Sequence, residues 1–205
     1  MFERHSALAG VLGREPTESR GASVALGEVR GFSLVQVAAF PNTGPALAQA
    51  VEAILGTLPE RAGQSSVISN RLLFRTGAEQ FWVVSGENED LTEALQRAVR
   101  ADLGTVTSLS HSRTRIFVEG PGARQVLGTG IAIDLNTLLF PVGAVALTGA
   151  HHTPVVLHRV GAERYEIYAL RTFAVWIWDW LTDASLPFSR NSCPGAGRPG
   201  KPSSV

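Results

Sequence analysis

Three histidines lie close together in the second half of the chain and are the first candidates for chemistry. His151 and His152 are adjacent, and His158 follows six residues later. Neighbouring residues of a strand point to opposite faces of its sheet, so an adjacent pair does not easily converge on one metal ion. No H-x-x-x-H or H-E-x-x-H spacing accompanies them, and Cys193 is the only cysteine. The pattern therefore indicates a polar strand edge or an interface and predicts no metal site.

A serine beside a histidine and two glycine-rich runs are the next candidates. Ser110, His111 and Ser112 place hydroxyls next to an imidazole. A catalytic nucleophile needs a base that faces it and a third group that orients the base, and no G-x-S-x-G motif is present. Residues 120–122 (GPG) and 128–130 (GTG) match neither G-x-G-x-x-G nor a P-loop. We therefore expect no hydrolase site and no nucleotide site in this chain.

The composition excludes several classes of protein. Of 205 residues, 44% are hydrophobic and 18% are charged, which is enough for one or two small domains with a buried core. Eighteen basic residues balance eighteen acidic ones. A neutral chain has little attraction for nucleic-acid phosphates, and low net charge favours association with other chains. Residues 1–10 lack the apolar core of a secretory signal, and no apolar stretch approaches the about 20 residues that span a bilayer. We expect a cytoplasmic protein that binds no membrane and no nucleic acid.

Strand and helix patterns alternate between two polar ends. Residues 1–25 are predicted to form an extended segment, and residues 189–205, which include Cys193, a disordered tail. The predicted strands cover residues 32–39, 72–75, 80–85, 105–109, 113–118, 145–148, 154–160 and 164–170. Because strands outnumber helices and several connections are short, residues 26–188 are expected to form an α+β fold of mostly antiparallel sheets. A split into two subdomains near residue 105 is left open.

Two predicted helices carry apolar stripes that should pack on the sheets. The first begins near Pro45 and ends at Pro59, and its stripe consists of Leu47, Val51, Ile54, Leu55 and Leu58. The last begins after a cap at Thr172, and its stripe consists of Phe173, Trp176, Ile177, Trp180 and Leu181. Trp178 points away from that stripe, so it is either an interface anchor or a core residue covered by a terminal segment.

Three segments in the middle and second half of the chain resemble the folate-dependent aminomethyltransferase family, which includes the glycine-cleavage T protein. Residues 108–128 (SLSHSRTRIFVEGPGARQVLG) are similar to its strand, G-P-x-A turn and helix. Residues 81–95 resemble the preceding strand and helix, and residues 155–170 resemble a later hairpin that a tryptophan-bearing helix follows. The resemblance implies an α+β fold like the folate-binding domain of that family.

Further runs resemble a smaller branch of this family, the gamma subunits of heterotetrameric sarcosine oxidases. The similar runs are residues 6–10 (SALAG), 32–37, 81–84 (FWVV), 109–113 (LSHSR), 140–145 (FPVGAV) and 178–181 (WDWL). The resemblance extends from about residue 6 to residue 186, and the chain length also agrees. Each run is short, so the order and spacing of the runs together carry the resemblance.

The resemblance implies a complex of alpha, beta, gamma and delta subunits. Such an oxidase demethylates sarcosine to glycine, forms 5,10-methylenetetrahydrofolate and reduces oxygen to hydrogen peroxide. In that family NAD and the tetrahydrofolate site belong to the alpha subunit, FAD to the beta subunit, FMN to the alpha–beta contact and zinc to the delta subunit. The gamma subunit is not known for holding a cofactor. The resemblance therefore implies that this chain has no catalytic, cofactor-binding or metal-binding residue of its own.

The sequence departs from the folate-binding pattern of the family, which agrees with the assignment of tetrahydrofolate to another subunit. The family's T-G-x-T-G-E loop is shortened here to residues 159–163 (RVGAE), although Glu166 remains, and residues 75–80 contain no aspartate. The chain is therefore expected to bind no folate and to act through its interfaces. The candidate interface residues are polar or aromatic and lie at strand starts or off the core stripe: His111, Arg113, His151, His152 and Trp178.

Two alternatives remain at the level of the sequence. The partners could form an N-methylglutamate dehydrogenase, whose subunits resemble those of sarcosine oxidase, because the amine pocket would lie in another subunit. The chain could also be a free-standing folate-dependent aminomethyltransferase-like protein, which would be a folded monomer that binds tetrahydrofolate.

Overall fold

Ten strands and four helices make up the computed structural model, which describes residues 5–12 and 23–189. The strands are β1 (Ala25–Val29), β2 (Phe32–Ala39), β3 (Gln64–Ile68), β4 (Arg71–Gly77), β5 (Gln80–Gly86), β6 (Gly104–Ser108), β7 (Arg113–Glu119), β8 (Val145–Ala150), β9 (Thr153–Arg159) and β10 (Arg164–Leu170). The helices are α1 (Gly44–Leu55), α2 (Thr92–Ala98), α3 (Ala123–Gly128) and α4 (Ala174–Ser189). Most of the predicted N-terminal segment and nearly all of the predicted tail lie outside the described residues.

The strands form two five-stranded sheets in which every pairing is antiparallel. One sheet has the order β1-β7-β10-β9-β8 and the other β3-β4-β5-β2-β6. The prediction of an α+β fold with mostly antiparallel sheets is confirmed. The edge strands β1 and β3 were not predicted, because Ala25–Val29 and Gln64–Ile68 are short and show no clear apolar alternation.

The two sheets pack face to face, and the helices cover their outer faces. The core between the sheets consists of Phe32, Leu34, Phe74, Trp82, Val84, Val145, Val156 and Tyr168. Helices α1 and α2 cover the sheet that contains β2, and α3 and α4 cover the sheet that contains β10. Strand β7 shows the alternation that this arrangement requires: Ile116 and Val118 face the helices, and Arg115 faces the other sheet.

A corner joins the two sheets at their edges. Gln64 of β3 pairs with Ala144, just before β8 begins. The N–H of Ser65 donates to the carbonyl of Gly143 at 2.9 Å, and the N–H of Val145 donates to the carbonyl of Gly63 at 2.8 Å. The edges of β3 and β8 are therefore partly paired with each other, which fixes the angle at which the sheets meet.

The end and the buried face of α1 differ from the prediction. The helix ends at Leu55, because Gly56 follows with a φ of +85° and its N–H donates to the carbonyl of Glu52 at 2.9 Å. Glycine adopts such a positive φ without the strain that a side chain would cause, so the helix ends here and not at Pro59. Ile54 is also 40% exposed, whereas Leu55 beside it is buried.

The buried face of α4 also differs from the prediction. A 3₁₀ turn, Arg171–Phe173, precedes the helix, so Thr172 is not its cap. The face against the sheet consists of Ala174, Ile177 and Leu181, and Trp176 is 44% exposed. Apolar residues occupy nearly every position from Phe173 to Leu181, so the spacing alone did not determine which stripe is buried. Among the described residues no helix is long and apolar enough to cross a membrane.

Candidate functional site

A cleft of about 620 Å³ lies between the two sheets. The turn between β1 and β2 forms one end, and Ser66 and Arg71 lie on one wall. Val67 and Val142 are exposed apolar residues at its rim. Arg115, His158 and Glu166 also line it, so polar groups meet at a place where most of the neighbouring core is apolar.

An ion pair lies in the buried part of this cleft. Arg115 Nη2 is 2.7 Å from Glu166 Oε2, and Arg115 Nε donates to the same oxygen at 2.9 Å. The hydroxyl of Tyr168 donates to Glu166 Oε2 at 3.3 Å. Burial raises the pKa of Tyr168 far above its usual value, so the hydroxyl keeps its proton. The guanidinium of Arg115 also lies over the rings of Phe32 and Tyr168, 5.9 and 5.5 Å from their centroids.

His158 lies in the same region and is 3% exposed. Its Nε2 is 3.0 Å from Ser65 Oγ, and its ring packs on Phe74 with the centroids 4.8 Å apart. Its Nδ1 has no hydrogen-bond partner among the described residues. Burial, aided by the charge of Arg115, lowers the pKa of His158 to about 4. The imidazole is therefore neutral at pH 7.

Glu166 and Arg115 bind mainly each other, and a hydrogen bond of His158 joins the two sheets. Glu166 Oε2 already accepts hydrogen bonds from Arg115 and Tyr168, and Arg164 lies 3.8 Å from Oε1. Arg115 and Glu166 come from β7 and β10, which are adjacent in one sheet, and Ser65 connects His158 to the other sheet. No group of three or more His, Cys, Asp or Glu side chains suited to a metal ion occurs in the described part of the chain.

Four of the five predicted interface residues lie at one end of the sheet that contains β10. His111 precedes β7, which begins at Arg113, and Arg113 pairs with Leu170 at the end of β10. His151 and His152 form the turn between β8 and β9. Because neighbouring strands are antiparallel, this turn and the start of β7 lie at the same end of the sheet.

An aromatic cluster forms on this end of the molecule. His151 packs edge-on against Trp176 and Trp180, with ring centroids 5.6 and 5.3 Å apart. Trp180 Nε1 donates to Thr129 Oγ1 at 3.1 Å. Trp178 is half-buried against the core under α4. The exposed tryptophan of α4 is therefore Trp176, and its contact with His151 brings together residues that are 25 positions apart.

A second, smaller cavity of about 220 Å³ lies beside Arg113. Arg113 lies over the ring of Trp82, with its Cζ 5.6 Å from the centroid. Arg171, Arg30 and His5 also line the cavity. His111 is exposed, precedes β7 and is not part of the cavity lining.

Sequence reasoning missed the partners within the cleft. Glu166 stands between Tyr165 and Ile167, and His158 follows three apolar residues, so each was visible as a polar group in an apolar strand. Nothing local identified Arg115 or Ser65 as their partners. Those pairs follow from the order of strands in the sheet and from the packing of one sheet on the other.

The comparisons with known proteins agree with this architecture. The GCVT N-terminal domain family matches residues 52–194. The glycine cleavage system aminomethyltransferase T from Bartonella henselae is similar in structure, with a TM-score of 0.58 and 19% identity over 80% of this chain and 46% of that one. The chain thus has the α+β fold of the GCVT N-terminal domain class.

More specific relatives share nearly the whole chain. Sarcosine oxidase subunit gamma from Corynebacterium sp. (strain U-96) is 30% identical over 168 residues, which are 82% of each chain. The gamma subunit from Arthrobacter sp. is 27% identical over 87% of this chain and 92% of the relative. The structure of a heterotetrameric sarcosine oxidase from Corynebacterium sp. U-96, in complex with pyrrole 2-carboxylate, contains a chain that matches with a TM-score of 0.79, 28% identity and coverage of 91% and 97%. The chain belongs to the sarcosine oxidase gamma-subunit family, and the predicted resemblance is confirmed.

Proposed function

We propose that this chain is the gamma subunit of a heterotetrameric sarcosine oxidase that also contains alpha, beta and delta subunits. The complex would demethylate sarcosine to glycine, with 5,10-methylenetetrahydrofolate and hydrogen peroxide as the other products. The observation that carries this proposal is the match along 91% of the chain to a chain of such an oxidase, at a TM-score of 0.79. Shared fold alone would be weak support, but here the gamma-subunit sequences also match over most of their length.

We further infer that the chain itself is not catalytic. FAD, FMN, NAD, tetrahydrofolate and zinc would belong to the other subunits. Glu166 supports this inference, because Arg115 and Tyr168 already bind one oxygen of its buried carboxylate, Oε2, from within the chain. A pterin ring needs several free hydrogen-bonding groups in a concave site. Among the buried side-chain atoms of the described cleft lining, only Ser66 Oγ and His158 Nδ1 have no hydrogen-bond partner. The residues present therefore do not fit a bound folate, and we assign no reaction step to them.

The exposed end of the sheet supports a role in assembly. Trp176 is exposed and contacts His151 in the turn between β8 and β9, and Arg113 lies at the start of β7, at the same end of the sheet. Aromatic residues and arginine are enriched at protein interfaces, where they combine apolar area with directed hydrogen bonds. The described surface here is thus of the kind that packs against another subunit.

Co-expression tests the proposal directly. The tagged chain is expressed alone and together with the alpha, beta and delta subunits of the same organism, and each preparation is assayed for assembly by size-exclusion chromatography and for peroxide formation from sarcosine. We expect a stable four-subunit complex that oxidises sarcosine, and no tetrahydrofolate binding by the isolated chain in calorimetry. Tight tetrahydrofolate binding by the isolated chain would contradict the non-catalytic role. A complex that oxidises N-methylglutamate and not sarcosine would contradict the proposal that sarcosine is the substrate.

A further inference from the structure

Arg113 is a partly buried arginine with few acceptors in the described part of the chain. Its Nη1 contacts only Ser112, at 3.4 Å from the carbonyl oxygen and 3.2 Å from the hydroxyl. Arg115 binds the carboxylate of Glu166, and Arg159 donates to the carbonyls of Phe140, Gly161 and Ala162. No carboxylate lies within 4.0 Å of Arg113 among the described residues. A guanidinium has five N–H donors, so most donors of Arg113 have no acceptor in the described part of the chain.

The guanidinium of Arg113 is nevertheless held in place. It lies over the ring of Trp82, which is 4% exposed and donates from Nε1 to Gln36 Oε1 at 3.0 Å. Burial lowers the pKa of Arg113, but an arginine remains charged at neutral pH. A charged, planar and partly desolvated group that already has one orientation loses little entropy when it binds an anion.

A second arginine points to the same cavity. The N–H of Arg171 donates to the carbonyl of Ser112 at 3.0 Å, which places Arg171 beside Arg113 at the end of β10. The described side-chain contact of Arg171 is a hydrogen bond from Nη2 to the carbonyl of His5. Both arginines and His5 line the cavity of about 220 Å³.

The charges in this cavity favour an anion. Its carboxylates are Glu28 and Glu87, and Glu28 is already bound by Arg30 at 2.7 Å and by the hydroxyl of Ser6 at 2.5 Å. Once Arg30 and Glu28 are counted as a pair, the lining has two positive charges, Arg113 and Arg171, and one negative charge, Glu87. A cavity of about 220 Å³ is smaller than the about 300 Å³ at which cofactor and drug-sized pockets begin, but it is large enough for an acidic side chain.

We propose that this two-arginine pocket, formed by Arg113, Arg171 and His5, receives the carboxylate of an Asp or Glu side chain from another subunit of the oxidase. The proposal rests on the proposed function, since it needs a partner. A carboxylate in the pocket would accept charge-assisted hydrogen bonds from the free donors of both guanidinium groups. Opposite charges that meet in a partly buried site select the partner and its orientation more than they add raw affinity.

The near absence of lysine makes a covalent test possible. Lys201 is the only lysine in the chain. In an Arg113→Lys variant, a carbodiimide joins the new amine to a carboxylate within contact distance, with loss of water. We expect a cross-link between residue 113 and a carboxylate of another subunit in the four-subunit complex, identified by peptide mass spectrometry. The matched control is Arg124→Lys, because Arg124 is exposed and lies outside the pocket.

An uncharged variant measures what the pocket contributes to assembly. For Arg113→Gln we expect the dissociation constant of this chain from its partners to rise by about tenfold or more, and the salt dependence of binding to decrease. Arg124→Gln should bind like the wild type, and circular dichroism of each isolated variant checks that it is folded. The possible failures separate the two proposals. If the wild type itself does not assemble, the proposed function fails.

If the wild type assembles but Arg113→Gln binds its partners equally well, only the pocket proposal is wrong. The pocket proposal is also wrong if the amine of Arg113→Lys cross-links only to Glu28 or Glu87 of its own chain. Binding of millimolar acetate at Arg113 within the assembled complex, with assembly unchanged, would assign the pocket to a small carboxylate and also overturn the proposal.

Discussion

Arg115 and Glu166 form an ion pair between two packed sheets, with Nη2 2.7 Å from Oε2, although Glu166 is only 2% exposed. The pair does not cross from one sheet to the other. Both residues come from adjacent strands of one sheet and point toward the second sheet, where the ring of Phe32 packs on Arg115. The second sheet thus covers the pair and shields it from water, which strengthens the attraction and makes an unpaired partner costly.

Removing either partner of this pair should destabilise the chain strongly. We expect Glu166→Gln or Arg115→Met to lower the free energy of unfolding by about 3–5 kcal/mol, because each leaves an unpaired buried charge. The double variant should lose less than the sum of the two, as measured by urea unfolding of the isolated chain. The exposed pair Arg97–Glu93 is the control, with an expected effect of about 0.3–0.5 kcal/mol. Additive losses at Arg115 and Glu166 would mean that the two side chains are not coupled.

His158 should make the stability of the chain depend on pH. Its pKa is about 4 in the folded chain and near 6.5 when exposed, so the unfolded chain binds a proton that the folded chain does not. The contribution is fully present above pH 6.5 and is lost as the pH falls toward 4, by roughly 2–3 kcal/mol. Urea unfolding at pH 7, 6 and 5 should show a shallower decline for His158→Gln than for the wild type. Equal slopes for the wild type and this variant would contradict the neutral buried imidazole, and the exposed His151→Gln is the control.

Gly130 should tolerate no side chain, whereas Gly128 should. A Cβ at Gly130 would lie 2.6 Å from His151 Nε2 and 2.7 Å from the ring of Trp180, and nothing lies within 4 Å of a Cβ at Gly128. We expect Gly130→Ala to cost about 1–3 kcal/mol by overpacking the aromatic cluster. Gly128→Ala, in α3, should be neutral or slightly stabilising. Thermal unfolding measures the stability of the two variants. Equal stabilities would show that His151 and Trp180 can move aside at little cost.

Trp176 and Trp178 should have opposite roles. Trp176 is 44% exposed, so Trp176→Ala should change the free energy of unfolding by less than about 1 kcal/mol but weaken assembly by more than tenfold. Trp178 packs on the core, so Trp178→Ala should cost about 2–3 kcal/mol of stability. Unfolding of the isolated chain and titration with the partner subunits separate the two effects. If Trp176→Ala assembles as well as the wild type, Trp176 is not part of the interface.

Local patterns of residues determined the class of fold. The alternation of polar and apolar residues in Arg113–Glu119 and the apolar runs in Thr153–Arg159 and Arg164–Leu170 predicted three strands that the structure contains. The short connection between the last two of these strands predicted that they pair antiparallel. The order of the matching runs predicted the gamma-subunit family. These signals are local, because the side-chain period of a strand and the chemistry of a turn depend on residues that are adjacent in sequence.

Only the tertiary structure decided which residues share a site. Arg115 meets Glu166 across 51 positions of sequence, Ser65 meets His158 across 93, and His151 meets Trp176. The apolar spacing of α4 allowed more than one buried face, and packing on the sheet selected the face with Ala174, Ile177 and Leu181, which left Trp176 exposed. Such pairs depend on strand order, on register and on how two sheets meet. A contact between distant residues forms only when the whole core closes, so no short segment carries the information that specifies it.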